Sequence, residues 1–109
     1  MMPIALIDAN DQVVEADLDD ATYHLTLSWN EEGQLWTMDV RNLDGETLAS
    51  GMAVNAFSPV LSFVRRPTLP PGEFVVVAAP GYTLTRSSFV SGEAALWYIS
   101  REEIANGAV

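Results

Sequence analysis

The sequence has no cysteine and no lysine, and it has only one histidine, His24. Without cysteine, disulfide bonds and thiol chemistry are excluded, so stability must come from packing. Fifteen acidic residues stand against five arginines, and the formal net charge is −10. Phosphate backbones are bound by dense Lys/Arg surfaces, and anionic membranes attract basic segments. The charge balance therefore argues against a nucleic acid or a membrane as the partner.

Long hydrophobic runs are also missing. No apolar run is longer than the one at residues 74–79, whereas a membrane-spanning helix needs roughly 20 residues. The first residues, MMPIALIDAND, lack the basic leader and the long apolar segment of a signal peptide, so we expect a protein retained in the cytoplasm where it is made. A chain of 109 residues can form one modest core. We expect a single β domain over residues 1–100 and a flexible or short helical tail over residues 101–109.

Residues with recognisable catalytic spacing are absent as well. His24 lies in a predicted strand, where a structural role is the simpler interpretation, because metal sites usually combine several imidazole or thiolate ligands. The acidic clusters at residues 8–11 and 17–20 do not have the EF-hand pattern, and no nucleophile elbow or phosphate-binding loop occurs. We expect no catalytic, metal-binding or cofactor-binding residues, no cofactor and no enzyme activity. A carboxylate pair for glycoside cleavage stays open, because it depends on distances in space.

What is present is a run of alternating strands centred on residues 23–51. Apolar and polar residues alternate over residues 23–29 and again over residues 36–41, which is typical of half-buried strands. Turn residues separate them, and Asp44-Gly45 supplies the positive φ of a tight hairpin before a short third strand. Upstream, residues 3–7 and 12–18 predict two further strands. The N-terminal half therefore reads as consecutive antiparallel strands.

The C-terminal half is less regular. Ser58 and Pro59 predict a short helix over residues 59–65, followed by a Pro-rich connector that carries Arg65 and Arg66. The β-branched run at residues 74–79 predicts a central strand buried on both faces, and residues 94–99 predict the last strand. Residues 86–93 read as a loop, and the capping-box spacing of Ser100 and Glu103 gives at most a marginal helix in a frayed tail.

These segments predict an all-β fold. We expect an antiparallel β-sandwich or partly open barrel of about seven or eight short strands, with at most one short helix, near residues 59–65. Trp29, Trp36 and Trp97 occur at strand period, which is typical of core residues, although three indoles could also form a sugar-stacking surface.

The order of motifs in the meander resembles a known family. It reads Tyr-x-Leu-x-Leu-x-Trp-Asn at residues 23–30, Trp-x-Met-Asp-Val at 36–40 and Asp-Gly-Glu-x-Leu-x-x-Gly at 44–51, with an aromatic strand at 96–99. This order is similar to that of the small baseplate plug proteins of contractile-tailed phages, of the cyanophage type. The resemblance spans residues 12–100, and its motifs are specific only through their order and spacing.

The resemblance implies a virion protein without catalysis. It would be located at the centre of the tail baseplate, help to close the tail channel, and contact other baseplate, hub or tail-tube proteins, with a homo-oligomer as the expected state. Assembly would take place in the host cytoplasm. The acidic residues could then line the channel and repel DNA phosphates. Two other classes stay open: a small-ligand or carbohydrate-binding β module, which needs exposed tryptophans in a concave patch, and an accessory enzyme domain, which needs a pocket that joins His24 to two carboxylates.

Overall fold

The computed structural model describes residues 1–56, 59–61 and 68–107. Within these residues the chain forms seven strands and two short helices. The strands are β1 (Met2–Ile4), β2 (Asp11–Leu18), β3 (Ala21–Asn30), β4 (Leu35–Asn42), β5 (Thr47–Val54), β6 (Glu73–Ala78) and β7 (Ala94–Ile99), and the helices are α1 (Ser88–Ser91) and α2 (Arg101–Ala105).

The predicted run of consecutive antiparallel strands is a four-stranded sheet in the order β2-β3-β4-β5. Its register places Leu25 opposite Val40 and Leu27 opposite Met38, so the apolar faces of neighbouring strands coincide. The β2–β3 turn consists of Asp19 and Asp20, whose φ angles are 50° and 68°. Both residues have positive φ, as a type I′ hairpin requires, and aspartate tolerates this conformation better than most residues.

Strand β5 runs through Gly51 to Val54. Gly51 has φ of +66°, and its N–H donates to a carboxylate oxygen of Asp39 at 2.7 Å. The pairing between β4 and β5 shifts register on either side of Val40. Such a bulge bends the strand and increases its twist, so the edge formed by β5 is irregular.

The second sheet has three strands in the order β1-β7-β6, all antiparallel. The prediction that residues 74–79 form a central strand was wrong, because β7 is central and β6 lies at the edge. One outward residue of β6, Val77, is 46% exposed. A short segment shields this edge instead: Ala56 pairs with Val76, and the Val60 N–H donates to the Phe74 carbonyl at 3.0 Å.

The core lies between the two sheets, which makes the fold a sandwich rather than a closed barrel. Its fully buried members include Leu25, Leu27 and Met38 from the four-stranded sheet and Phe74 and Leu96 from the three-stranded sheet. The all-β prediction and the number of strands are therefore confirmed.

Of the two helices, only α2 lies where the sequence allowed one. The helix predicted for residues 59–65 falls mostly outside the described residues, and residues 60–61 form a turn. Helix α1 interrupts the predicted loop at residues 86–93, and α2 begins at the capping box of Ser100 and Glu103, with both reciprocal hydrogen bonds formed. Neither helix is long enough to cross a membrane, and the described residues contain no other candidate.

Candidate functional site

His24 is the only histidine of the chain and therefore the only imidazole that could act as a base or ligand. It lies half-buried on the outer face of β3, opposite Glu15 in β2 and Arg41 in β4. One carboxylate and one guanidinium therefore flank it on an open sheet face. The described residues contain no group of three or more His, Asp or Glu side chains that could hold a metal ion. Glu15, His24 and Arg41 thus form a cross-strand row of polar and charged side chains, and such rows stabilise sheets.

An open depression of about 610 Å³ lies beside the β2–β3 turn. We call it the acidic hollow; its lining residues are Asp17, Asp19, Asp20, Thr22, Ser100 and Glu102. Hydrogen-bond donors of the chain itself already bind some of the carboxylate oxygens in the acidic hollow. The Thr22 hydroxyl donates to Asp17, and Asp19 accepts two further hydrogen bonds. The contacts thus support a structural role for this part of the acidic N-terminal cluster.

Asp19 joins the hairpin turn to the other sheet. One of its carboxylate oxygens accepts a hydrogen bond from the Tyr98 hydroxyl at 2.5 Å and another from the Arg101 N–H at 3.1 Å. The Tyr98 hydroxyl in turn accepts the Gly72 N–H at 2.7 Å. We call Gly72, Tyr98 and Asp19 the tyrosine junction. Through the Tyr98 hydroxyl, this junction connects the β2–β3 turn, the central strand of the second sheet and the residues before β6.

The electrostatics of the tyrosine junction keep Tyr98 protonated. Burial, followed by the hydrogen bond to Asp19, raises the pKa of Tyr98 well above its ordinary value, while the Gly72 bond opposes the shift. Burial and then the nearby Asp19 charge also raise the pKa of Tyr23. The Tyr98 hydroxyl stays neutral, accepts one hydrogen bond and donates another. At ordinary pH its role is therefore structural, and it is not a general base.

Gly72 fits this junction because it has no side chain. A Cβ added there would lie 2.0 Å from the Ile99 carbonyl oxygen and 2.5 Å from the Tyr98 hydroxyl. Both distances are shorter than van der Waals contact. From the sequence, Gly72 is predicted only as part of the Pro-rich connector. The one sequence feature that could have pointed to its structural role is the Pro-Pro-Gly sequence just before a β-branched run.

The three tryptophans do not form a shared surface. Trp36 is 2% exposed in the core, whereas Trp29 is half-buried at the rim, with ring centroids 5.6 Å apart. Trp97 lies on the outer face of the other sheet. A sugar-binding module needs several exposed rings in one concave patch, so the carbohydrate-binding alternative is not favoured.

The outer faces of the two sheets differ in chemistry. The four-stranded sheet presents small polar or charged side chains, including Thr26, Ser28 and Thr37. The three-stranded sheet presents apolar ones, namely Pro3, Val75, Val77, Ala95 and Trp97. A partly exposed apolar sheet face together with a polar one provides surfaces suited to packing against other proteins.

Arg65 and Arg66 of the Pro-rich connector lie outside the described residues. Arg86 does contact the acidic cluster, since its guanidinium donates to Asp8 and to the Asn10 side chain. This contact holds the loop before α1 against the turn that follows β1. It uses one of the five bases to neutralise the start of the acidic N-terminal region.

The comparison with known proteins agrees with this geometry. The sequence model of one protein family, described as cyanophage baseplate Pam3 plug gp18, matches residues 1–102. No curated protein matches the chain at a significant level. The match covers both sheets, the tyrosine junction and most of the acidic residues. The chain therefore belongs to the cyanophage baseplate plug family, and it is a structural protein of the phage tail baseplate that assembles with other baseplate proteins.

Proposed function

We propose that the chain closes the central tail channel as a non-catalytic subunit, held in place by contacts between proteins. The observation that carries this proposal is the pair of contrasting sheet faces on one small sandwich, one apolar and one polar. An apolar face with Trp97 at its centre favours burial against a neighbouring protein, because tryptophan is over-represented among residues that dominate interface energies.

A homo-oligomeric ring would be a natural form for such a plug, and we propose that copies of the chain assemble in the host cytoplasm before joining the tail. The excess of acid would then suit a channel wall, because carboxylates keep a channel hydrated and repel DNA phosphates. Exposed acids outside β2, such as Asp20, Glu32 and Asp44, are available to face such a lumen.

The test is an electron-microscopy reconstruction of tails assembled with and without the chain. We expect density for the sandwich at the axis of the baseplate and an open channel in tails that lack it. Tails of unchanged structure and a chain absent from purified particles would contradict the proposal. Native mass spectrometry of the isolated chain would measure the oligomeric state separately.

The absence of catalysis can be tested on the same particles. His24→Ala removes the only imidazole but leaves the row of Glu15 and Arg41 in place. We expect tails with this variant to assemble and infect normally. Normal assembly with abolished infection would instead point to a chemical role for His24.

A further inference from the structure

The two sheets have four edge strands, and three of them have features that hinder pairing with a further strand. Strand β1 is three residues long and has Pro3 at its middle, so it offers little for a neighbour to pair with. The edge of β5 is broken by Gly51 and two register shifts. The edge of β6 is covered by Ala56 and Val60. Short length, proline, bulges and covering segments are the usual means of protecting edges.

Strand β2 has none of these features. It runs for eight residues and pairs with β3 without a register shift. The Trp29 N–H donates to the Asn10 carbonyl at 2.8 Å, which makes that pair hydrogen-bonded. Because hydrogen-bonded pairs recur at every second residue of an antiparallel ladder, the even-numbered residues of β2 bond to β3. The N–H and C=O groups of the odd-numbered residues therefore point away from the sheet.

The odd-numbered residues also carry the exposed side chains of β2. They are Asp11, Val13, Glu15 and Asp17, and Val13 is 64% exposed. No ion pair within the described part of the chain neutralises Asp11, Glu15 or Asp17. An open groove of about 330 Å³ runs beside the edge, lined by residues 2–5 and by residues 14–17. Within the described residues, the edge thus combines backbone groups without a strand partner, three carboxylates without an ion pair, and one apolar side chain.

We propose that β2 is the docking edge for an extended segment of another baseplate protein, which adds a fifth strand and alternates basic with apolar or small side chains. The unpaired backbone groups would supply the hydrogen bonds of strand addition, as in other edge-strand complexes. Basic side chains of the segment would pair with the carboxylates on the same sheet face, and their aliphatic stems would cover Val13. The apolar or small residues of the segment would point to the opposite face.

A second copy of the chain fits this edge poorly. With the two-fold axis at Glu15, two copies of that glutamate face each other. With the axis at Val13, Asp11 lies opposite the second copy's Glu15. With the axis between Val13 and Glu15, Asp11 lies opposite the second copy's Asp17. Every such register brings carboxylates together, and like charges directly opposite are destabilising. The same side chains therefore reject self-pairing and favour a basic partner.

The test uses the full chain labelled with ¹⁵N and a synthetic peptide that alternates arginine with valine and threonine. At low salt we expect the peptide to slow hydrogen exchange at the amides of Val13, Glu15 and Asp17. The amides of Val14 and Ala16 already bond to β3 and should change little. This alternation is the signature of strand addition, and its absence at saturating peptide would overturn the proposal.

Two variants separate strand addition from simple charge attraction. Val13→Pro deletes an outward N–H at a position where an edge strand tolerates proline, and it should abolish binding, while Val13→Thr should retain it. The pair Glu15→Gln and Asp17→Asn should weaken binding roughly fivefold, as expected for two exposed ion pairs. Equal binding by Val13→Pro, with its melting temperature retained, would show charge attraction alone and overturn the proposal.

The proposal rests on the baseplate role but is tested separately from it, because the peptide assay uses the isolated chain. Protection of the same amides in the chain without peptide, together with a dimeric mass, would identify a second copy as the occupant and refute the inference. Tails that incorporate Val13→Pro as well as the parent chain would refute it too, while leaving the baseplate role intact.

Discussion

Trp36 is the residue whose removal should reveal most about the sandwich. Its ring is 2% exposed and lies 5.6 Å from Trp29 and 5.8 Å from Phe89, measured between centroids. Its indole N–H donates to the Thr85 carbonyl at 3.1 Å. Trp36 therefore fixes β4 to the loop that leads into α1. Trp36→Ala would remove the ring, both aromatic contacts and one hydrogen bond.

The expected loss follows from these contacts. Replacing a buried aromatic side chain by alanine costs about 3–5 kcal/mol. The aromatic pairs and the unsatisfied Thr85 carbonyl place Trp36 near the upper end, so we expect a loss of about 5 kcal/mol. Domains of this size are stable by about 5–15 kcal/mol, and each 1 kcal/mol shifts the melting temperature by about 4 °C. Trp36→Ala should thus melt about 20 °C lower or fail to fold.

The assay is urea and thermal unfolding followed by circular dichroism, with Trp97→Ala as the matched control. Trp97 is half-buried on the outer sheet face and has no ring partner within the described residues. Its removal should cost only about 1–2 kcal/mol, because less apolar area is uncovered. A loss below about 2 kcal/mol for Trp36→Ala, or a larger loss for Trp97→Ala, would refute the assignment of the core.

Three further predictions concern the tyrosine junction. Gly72→Ala should lower the free energy of unfolding by about 3 kcal/mol, because the new Cβ would clash with the Ile99 carbonyl oxygen. The control is Gly45→Ala, where φ is +82° but the space around the Cβ is open, and denaturant unfolding should show a loss of only about 1 kcal/mol. Asp19→Ala should lose about 2 kcal/mol more than Asp20→Ala, since both have positive φ but only Asp19 accepts the Tyr98 and Arg101 hydrogen bonds; equal losses would refute its role. Above pH of about 10 the unfolded chain releases tyrosine protons that the folded chain retains, so stability should fall as pH rises. Tyr98→Phe should be less stable near neutral pH yet flatten this slope by up to about 1.4 kcal/mol per pH unit, and an unchanged slope in an alkaline titration would contradict the raised pKa.

Prediction from sequence worked best where strands pair with their neighbours in the chain. A hairpin turn such as Asp19-Asp20 sets the register locally, and the alternation of Leu25, Leu27 and Met38 identifies the buried face. Strand β6 shows the limit. A run of β-branched residues resembles a central strand, but Ala56 and residues 59–61 shield the edge that a neighbouring strand would otherwise cover.

The candidate surfaces were harder to predict than the strands. The tyrosine junction joins Asp19 to Tyr98 across 79 positions of sequence, and no local pattern connects them. The sequence does not show which backbone groups the acidic residues of β2 border. Only the hydrogen-bonding parity of β2 shows that three of them lie at outward-pointing backbone groups. Whether Trp36 or Trp97 is core depends on which sheet face meets the other sheet.

By itself, the sequence determined the class of the protein: all-β, acidic, without cysteine, and with an order of motifs that resembles the baseplate plug family. These properties follow from composition and from contacts between neighbouring segments, which period-two alternation and turn residues encode directly. The tertiary structure alone decided which strand lies at an edge, which tryptophan is buried, and that Asp19, Gly72 and Tyr98 meet. Those outcomes depend on how two sheets stack, and stacking is set by contacts between residues far apart in the chain.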